Sequence, residues 1–248
     1  MLGFILSKMQ MLLFATGVLI VALMFYQFVS GVELTTASSS VISSGANMVR
    51  EQLSSDSLCS FKMDSIPERI MYGVGMNQFF YDLTLSKETI GDTNVLIFAI
   101  SEHKKTNIIA SRSVSINGSI VLISSEFIPE DEPMNEQYYD VSETVLYPRS
   151  ALKAGQSSSI NSFVALKEVL GGHTTIYIIP CSVSGNQGAQ DNCIVNIAKI
   201  GCYRLSKMNP QPNDTLPQCF DVSADITKEG ETIKQSLTFA TCKEYGYI

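Results

Sequence analysis

The chain has 248 residues, of which 45% are hydrophobic and 17% charged, and it carries a net charge of −7. That balance argues against nucleic acid and anionic lipid headgroups as partners, because both would be repelled. No segment recurs with a period of about 20–50 residues, which excludes a solenoid.

The first informative stretch opens at Met9 and closes at Val29, twenty-one residues without a charge (MQMLLFATGVLIVALMFYQFV). A helix rising ~1.5 Å per residue crosses ~30 Å of hydrocarbon over that length. Gly17 is tolerated, because membrane helices accept glycine. Lys8 precedes the run and Glu33 is the first charge after it. The positive-inside tendency therefore predicts a cytoplasmic N-terminal end and an outside remainder.

Nothing in the next thirty or so residues requires the helix to stop. Proline is absent from residues 30–58, and Val32, Leu34, Ala37, Val41, Ile42, Ala46, Val49 and Leu53 recur at helical steps. Ser38, Ser39, Ser40, Ser43 and Ser44 between them are poor helix formers, so such a helix needs neighbours on its apolar stripe. The competing expectation is a flexible Ser-rich stalk over residues 35–47. Two functional readings also stand beside each other here. One is a secretory signal cut after Thr35-Thr36-Ala37, whose apolar core exceeds the usual 7–15 or so residues. The other is a permanent anchor holding an outside domain.

A third reading comes from the start of the chain. Gly3-Phe4-Ile5-Leu6-Ser7-Lys8, followed by the apolar run, resembles the mature junction of type IV pilins and related class III signal-peptide proteins. The long Ser-rich continuation is closest to archaeal members, and the resemblance covers roughly the first 57 residues. It implies cleavage by a prepilin peptidase after Gly3, leaving Phe4 as the N-terminus. It further implies a helix that packs against copies of itself or related pilin-like subunits in a filament core. Lys8 stands where bacterial members place a glutamate, so a carboxylate contact to a neighbour's terminal amine is absent.

Six cysteines follow: Cys59 after the helix, then Cys181, Cys193, Cys202, Cys219 and Cys242 towards the C-terminus. There is no CxxC pair, and the only histidines are His103 and His173, so no metal site is expected. In an outside domain the pattern predicts up to three disulfides; the alternative is buried free thiols. A hairpin turning at Lys228-Glu229-Gly230-Glu231 would bring Cys219 opposite Cys242, a bridge consistent with the pilin resemblance. The alternative pairs Cys202 with Cys219 and leaves Cys242 for Cys181 or Cys59. Asn117-Gly118-Ser119 and Asn213-Asp214-Thr215 are glycosylation sequons, which fit an outside domain.

Beyond Cys59 the chain reads as strands. Residues 61–75 hold a Pro67 turn and a short apolar piece, Ile70-Met71-Tyr72; expected strands are residues 78–85, 94–101, 107–116 and 119–125, with Gly91-Asp92 and Asn117-Gly118 as turns. Four of them form an antiparallel meander between residues 77 and 125. Residues 126–159, with Pro129, Pro133, Pro148 and six carboxylates (Glu126, Glu130, Asp131, Glu132, Glu136, Asp140), read as a solvated acidic loop. Carboxylates suit Ca²⁺, but their spacing matches no calcium loop. Ser159 is a candidate cap for a helix over residues 160–170, stopped by Gly171-Gly172. Residues 173–180, 193–205, 219–226 and 232–242 are expected strands.

Catalytic motifs are weak. Ser101-Glu102-His103-Lys104 and Ser150-Ala151-Leu152-Lys153 match SxxK, yet the SDN and KTG partners of that chemistry are missing. Neither histidine accompanies a GxSxG, and no phosphate-binding loop occurs. No enzyme activity and no cofactor are expected. The sequence thus predicts an α+β protein. A hydrophobic helical segment, residues 1–57, carries an antiparallel β-rich, disulfide-braced domain, residues 58–248. The function expected is that of a filament subunit, and the alternative is a single-pass envelope protein with an outside binding domain.

Overall fold

A computed structural model describes residues 2–65, 67, 69–73, 77–103, 105–123, 144–148, 158–184, 189–222, 226–228, 231–233 and 236–248. The first element is a single helix, α1 (Leu2–Ser54), of 53 residues. At ~1.5 Å per residue it is about 80 Å long. The Ser- and Thr-rich stretch does not break it. Thr35 and Thr36 hydroxyls donate to the carbonyls of Gly31 and Val32 at 3.0 and 2.9 Å. Ser43 likewise donates to Ser39 O at 2.5 Å. These back-bonds satisfy those three hydroxyls inside the helix, and tertiary packing supplies the stability that propensity lacks.

Two four-stranded sheets follow. One contains β4 (Tyr81–Ile90), β5 (Thr93–Glu102), β6 (Ile108–Ile116) and β8 (Thr144–Pro148) in the order β6-β5-β4-β8, all antiparallel. The other contains β1 (Cys59–Ser65), β7 (Ser119–Leu122), β9 (Ser158–Leu170) and β10 (His173–Ser184) in the order β1-β9-β10-β7. In this second sheet β7 runs parallel to β10 and the other pairs are antiparallel. Two short hairpins add β2 (Ile70–Tyr72) with β3 (Asn77–Phe79), and β11 (Ile226–Lys228) with β12 (Glu231–Ile233). Helix α2 (Ala189–Ser206), a 3-10 turn (Gln218–Phe220) and α3 (Phe239–Glu244) complete the chain.

The packing is layered. The second half of α1 and the first sheet cover one face of the second sheet, through Ile42, Ala46, Val49, Phe98, Phe163 and Ile178. Helix α2 covers the other face, where Cys193, Ile197 and Ile200 meet Val164, Leu166 and Ile179. The opposite side of α2 presents Ala198, Cys202 and Leu205 to Leu216, Leu237, Cys242 and Tyr247.

This layering overturns several expectations. Residues 160–170 form strand β9, not a helix. Residues 162–168 are buried on both faces, so their side chains read as a continuous run instead of an alternation. Gly171 and Gly172 are no helix stop; at φ 59° and 82° they form the two-residue turn between Leu170 and His173. Positive φ at both positions is what a type I′ hairpin requires. Conversely, residues 193–205 form α2, not a strand, because that segment buries two opposite helical faces at once.

The Asn117-Gly118 hairpin is also absent. Neither residue has a positive φ, and the chain leaves the first sheet at Ile116 to enter the second at Ser119. Gly118 is needed there for space: a Cβ would stand 2.1 Å from Thr174 O. Asn94 Nδ2 donates to Gly118 O at 2.6 Å, fixing the crossover. Within the expected acidic loop, residues 144–148 form strand β8 against β4. Of the last two expected strands, the described residues show a hairpin of β11 and β12 and a single antiparallel bridge of Thr238 to Thr215. Residues 239–244 are helical, started by a Thr238–Thr241 capping box.

Candidate anchoring stem and its joint with the head

Residues 8–28 of α1 are exposed throughout. Leu12, Leu13 and Phe14 are exposed, as are Val18 through Val21 and Leu23 through Tyr26. Four consecutive residues at about 100° per residue nearly encircle a helix, so the apolar surface has no polar side. A helix of this length and apolarity meets the requirement for crossing a membrane. Gly3 and Phe4 lie in its first turns, their side chains outside the described residues, and Lys8 is exposed just before the apolar run.

The second half is built into the head. Ser38, Ile42, Ala46 and Val49 are fully buried on one face, while Leu34, Ala37, Val41 and Leu53 pack beside them. The expected stripe is therefore the packing stripe, except that Val32 is exposed. Sequence reading missed Gly45. A Cβ there would meet Phe163 Cζ at 2.9 Å and Phe98 Cε1 at 3.1 Å. Glycine lets the stem lie against the two rings, one from each sheet, whose centroids are 6.1 Å apart. A cut between Ala37 and Ser38 would fall inside this helix, just before the buried Ser38.

The end of the stem is tied at several points. Lys167, buried on β9, donates through Nζ to Ser55 O at 2.5 Å, placing a cation at the negative end of α1. Ser60 Oγ donates to Gln52 Oε1 at 2.5 Å, and Arg50 Nη2 donates to Ser113 O at 3.0 Å. Lys62 and Glu51 form an exposed ion pair. Neither Lys167 nor Gln52 announces this role in the sequence; only the register of β9 against β1 brings them to the joint.

All six cysteines are paired: Cys59–Cys219, Cys181–Cys193 and Cys202–Cys242. The expected Cys219–Cys242 bridge is thus incorrect, and so is its alternative, Cys202–Cys219. The reason is the helical identity of residues 193–205. On a helix, Cys193 and Cys202 lie on different faces, one towards the sheet and Cys181, the other towards α3 and Cys242. Cys219 is left to face the stem.

Beside this bracing lies a buried polar cluster. Arg204 Nη1 donates to Glu168 Oε1 and Oε2 at 2.8 and 2.6 Å, and Tyr177 donates its hydroxyl to Glu168 Oε2 at 2.9 Å. The guanidinium lies 4.9 Å from the Phe220 ring centroid. Every acceptor is used within the fold, as a structural network requires.

The remaining candidates are dispersed. Asn117 and Asn213 are both exposed, at the sheet crossover and in the loop before α3. His103 Nδ1 lies 2.7 Å from Asp82 Oδ1, at the end of the first sheet, whereas His173 is exposed at the start of β10. Lys104, residues 150–153 and residues 126–143 lie outside the described residues, so the SxxK pairs and the acidic carboxylates do too. Among the described residues, no group of three His, Cys, Asp or Glu side chains is placed to hold a metal ion. A cleft of about 860 Å³ opens along β7, lined by Lys87, Glu88, Asn94, Ser119, Thr175 and Tyr177. Tyr81 donates its hydroxyl to Pro67 O at 2.6 Å, and burial pushes its phenol above the ordinary range.

No protein-family model, no curated protein and no solved structure matches the chain. The established picture is a helix long and apolar enough for a membrane, continuous with a disulfide-braced α+β head.

Proposed function

We propose that the chain is a pilin-like structural subunit of a cell-surface filament, assembling through the apolar half of α1. The observation that carries this reading is the two-part character of one continuous helix. Its first half is apolar on every side, and its second half is locked into the head by packing, a buried lysine and a disulfide. A stem of this kind transmits force from head to helix without a hinge. Its apolar surface is satisfied equally by lipid before assembly and by neighbouring helices afterwards. The Gly3-Phe4 junction supports the same reading through its resemblance to archaeal-type class III signals. Three disulfides fit a head in an oxidising, extracytoplasmic compartment, where the exposed Asn117 and Asn213 would be open to glycosylation.

The second reading is a single-pass anchor carrying an envelope-binding head. It is favoured by the length of the apolar run, which matches one bilayer without calling for any neighbour. Electron microscopy of the cell surface, with the chain tagged in its head, separates the two. Labelled filaments support the subunit. Label confined to the membrane, with an intact Met1 by N-terminal mass spectrometry, would establish the anchor instead. Under the first reading the mature N-terminus is Phe4.

A further inference from the structure

The three disulfides differ sharply in their surroundings. Cys181 and Cys193 are 1% and 3% exposed in the core between sheet and α2. Cys202 and Cys242 are each 0% exposed between α2 and α3. Cys59 and Cys219, by contrast, are both only half-buried. Cys59 opens the edge strand β1, and Cys219 sits in the one-turn 3-10 helix, with Leu58 O 3.7 Å from its sulfur. Leu58 itself is exposed. This bond links the end of the stem to the C-terminal layer across 160 residues of sequence.

We propose that Cys59–Cys219 is a reversible thiol-exchange site, opened by a dithiol reductant while the other two disulfides stay closed. A thiolate of the dithiol attacks one sulfur of the pair, the S–S bond breaks, and the other cysteine leaves as a thiolate. The second thiol of the reagent, once deprotonated, displaces the first cysteine from the mixed disulfide. Both cysteines take up protons, and the dithiol is oxidised to its disulfide, so two electrons pass to the protein. Access decides which bond reacts first, because exchange requires the attacking sulfur to approach along the S–S axis. The buried pairs offer that approach only after local opening of the core.

The geometry also makes the step reversible. Cys59 is the first residue of a seven-residue ladder between β1 and β9, which does not depend on the disulfide. Cys219 is held by its neighbour Phe220, which is 0% exposed and meets the Tyr177 ring edge-on at 5.2 Å. The two Cα atoms are 5.0 Å apart in the bonded state, and these independent supports keep the thiols close after reduction. Opening the bond removes the covalent tie between Cys59 and the 3-10 turn, while Val169 N–H still donates to Leu58 O at 2.8 Å and Lys167 still donates to Ser55 O. The proposal rests on burial and connectivity, independently of the filament reading.

The test is stepwise reduction of the full chain in detergent with dithiothreitol under native conditions, followed by alkylation and peptide mapping. Cys59 and Cys219 are expected to be alkylated at least about tenfold faster than the other four, since each tenfold reflects only about 1.4 kcal/mol of opening. Alkylation of any buried cysteine at a comparable rate would overturn the proposal. Replacing the reductant with excess glutathione disulfide before alkylation, so that one glutathione disulfide is reduced to two thiols as the pair is oxidised, should restore the Cys59–Cys219 peptide; scrambled pairs would overturn reversibility. A Cys59→Ser/Cys219→Ser variant should retain both other disulfides in the same peptide map. A variant that fails to fold would refute the claim that the head stays closed when this bond opens.

Discussion

Gly201, buried in α2, offers a quantitative test of how tightly the C-terminal layer is fitted. Glycine inside a helix costs about 1 kcal/mol relative to alanine, so propensity alone predicts that Gly201→Ala stabilises the protein. The structure predicts the reverse. A Cβ at this position would stand 2.5 Å from Phe220 Cβ, 3.1 Å from Leu216 Cδ2 and 3.4 Å from Phe220 Cγ. Carbon atoms in contact sit about 3.5–4.0 Å apart, so the root of Phe220 must retreat by about 1 Å. It has nowhere to go: its ring is wedged between Tyr177 and the Arg204 guanidinium, and its neighbour Cys219 is bonded to Cys59. Overpacking of this kind costs about 1–3 kcal/mol, and with a required shift near 1 Å the upper part of that range applies. Subtracting the helix gain leaves a net destabilisation of about 1–2 kcal/mol. Urea unfolding of the detergent-solubilised chain measures it, followed by tyrosine fluorescence because the protein has no tryptophan. Combined with Cys59→Ser/Cys219→Ser, the penalty should shrink by about 0.5–1 kcal/mol, since an untethered 3-10 turn can yield. A Gly201→Ala variant as stable as the parent would refute the claim that this seam is close-packed.

Other substitutions probe separate links. Ser38 buries its hydroxyl without a hydrogen-bond partner, so Ser38→Ala should raise stability by about 1 kcal/mol in the same urea assay. Cys202 and Cys242 close a loop spanning 40 residues, and Cys202→Ser/Cys242→Ser should lose about 4 kcal/mol by the chain-entropy relation, measured as a lower urea midpoint. The Tyr247 phenol is pushed up to about 12, first by burial and then by the neighbouring Tyr245. The unfolded chain releases that proton near pH ~10, so the folded state binds more protons between the two values. Stability should therefore fall as pH rises across that window, and Tyr247→Phe should flatten the decline in unfolding measured from pH 9 to about 12. Gly171→Ala and Gly172→Ala place a Cβ at positive φ and should each cost about 1 kcal/mol, seen as a lower midpoint.

The sequence by itself determined what local chemistry can determine. An uncharged run from Met9 onward is long and apolar enough to cross a membrane, and the stripe of Ile42, Ala46 and Val49 marks the face that continues into a core. The strands β4, β5 and β6 were legible because the first sheet follows chain order, with Gly91-Asp92 supplying the turn between β4 and β5. The even cysteine count, without metal-type spacing, pointed to disulfides.

What the tertiary structure decided were the segments whose periodicity is erased by burial on two sides. β9 packs between α1 and α2, and α2 packs between the second sheet and α3, so each buries apolar residues on two opposite faces. Strand and helix periods both dissolve in such a run, and the two assignments exchange places. The disulfide pairing fell with them, because it depends on which face of α2 each cysteine occupies. Asn117-Gly118 carries a strong local hairpin signal, yet the contact of Gly118 with Thr174 and the pairing of β7 with β10 override it. The joint of the stem, with Lys167 at the carbonyl of Ser55, lies 112 residues apart in sequence. No local pattern encodes such a contact; it exists only once the register of β9 on β1 has been set.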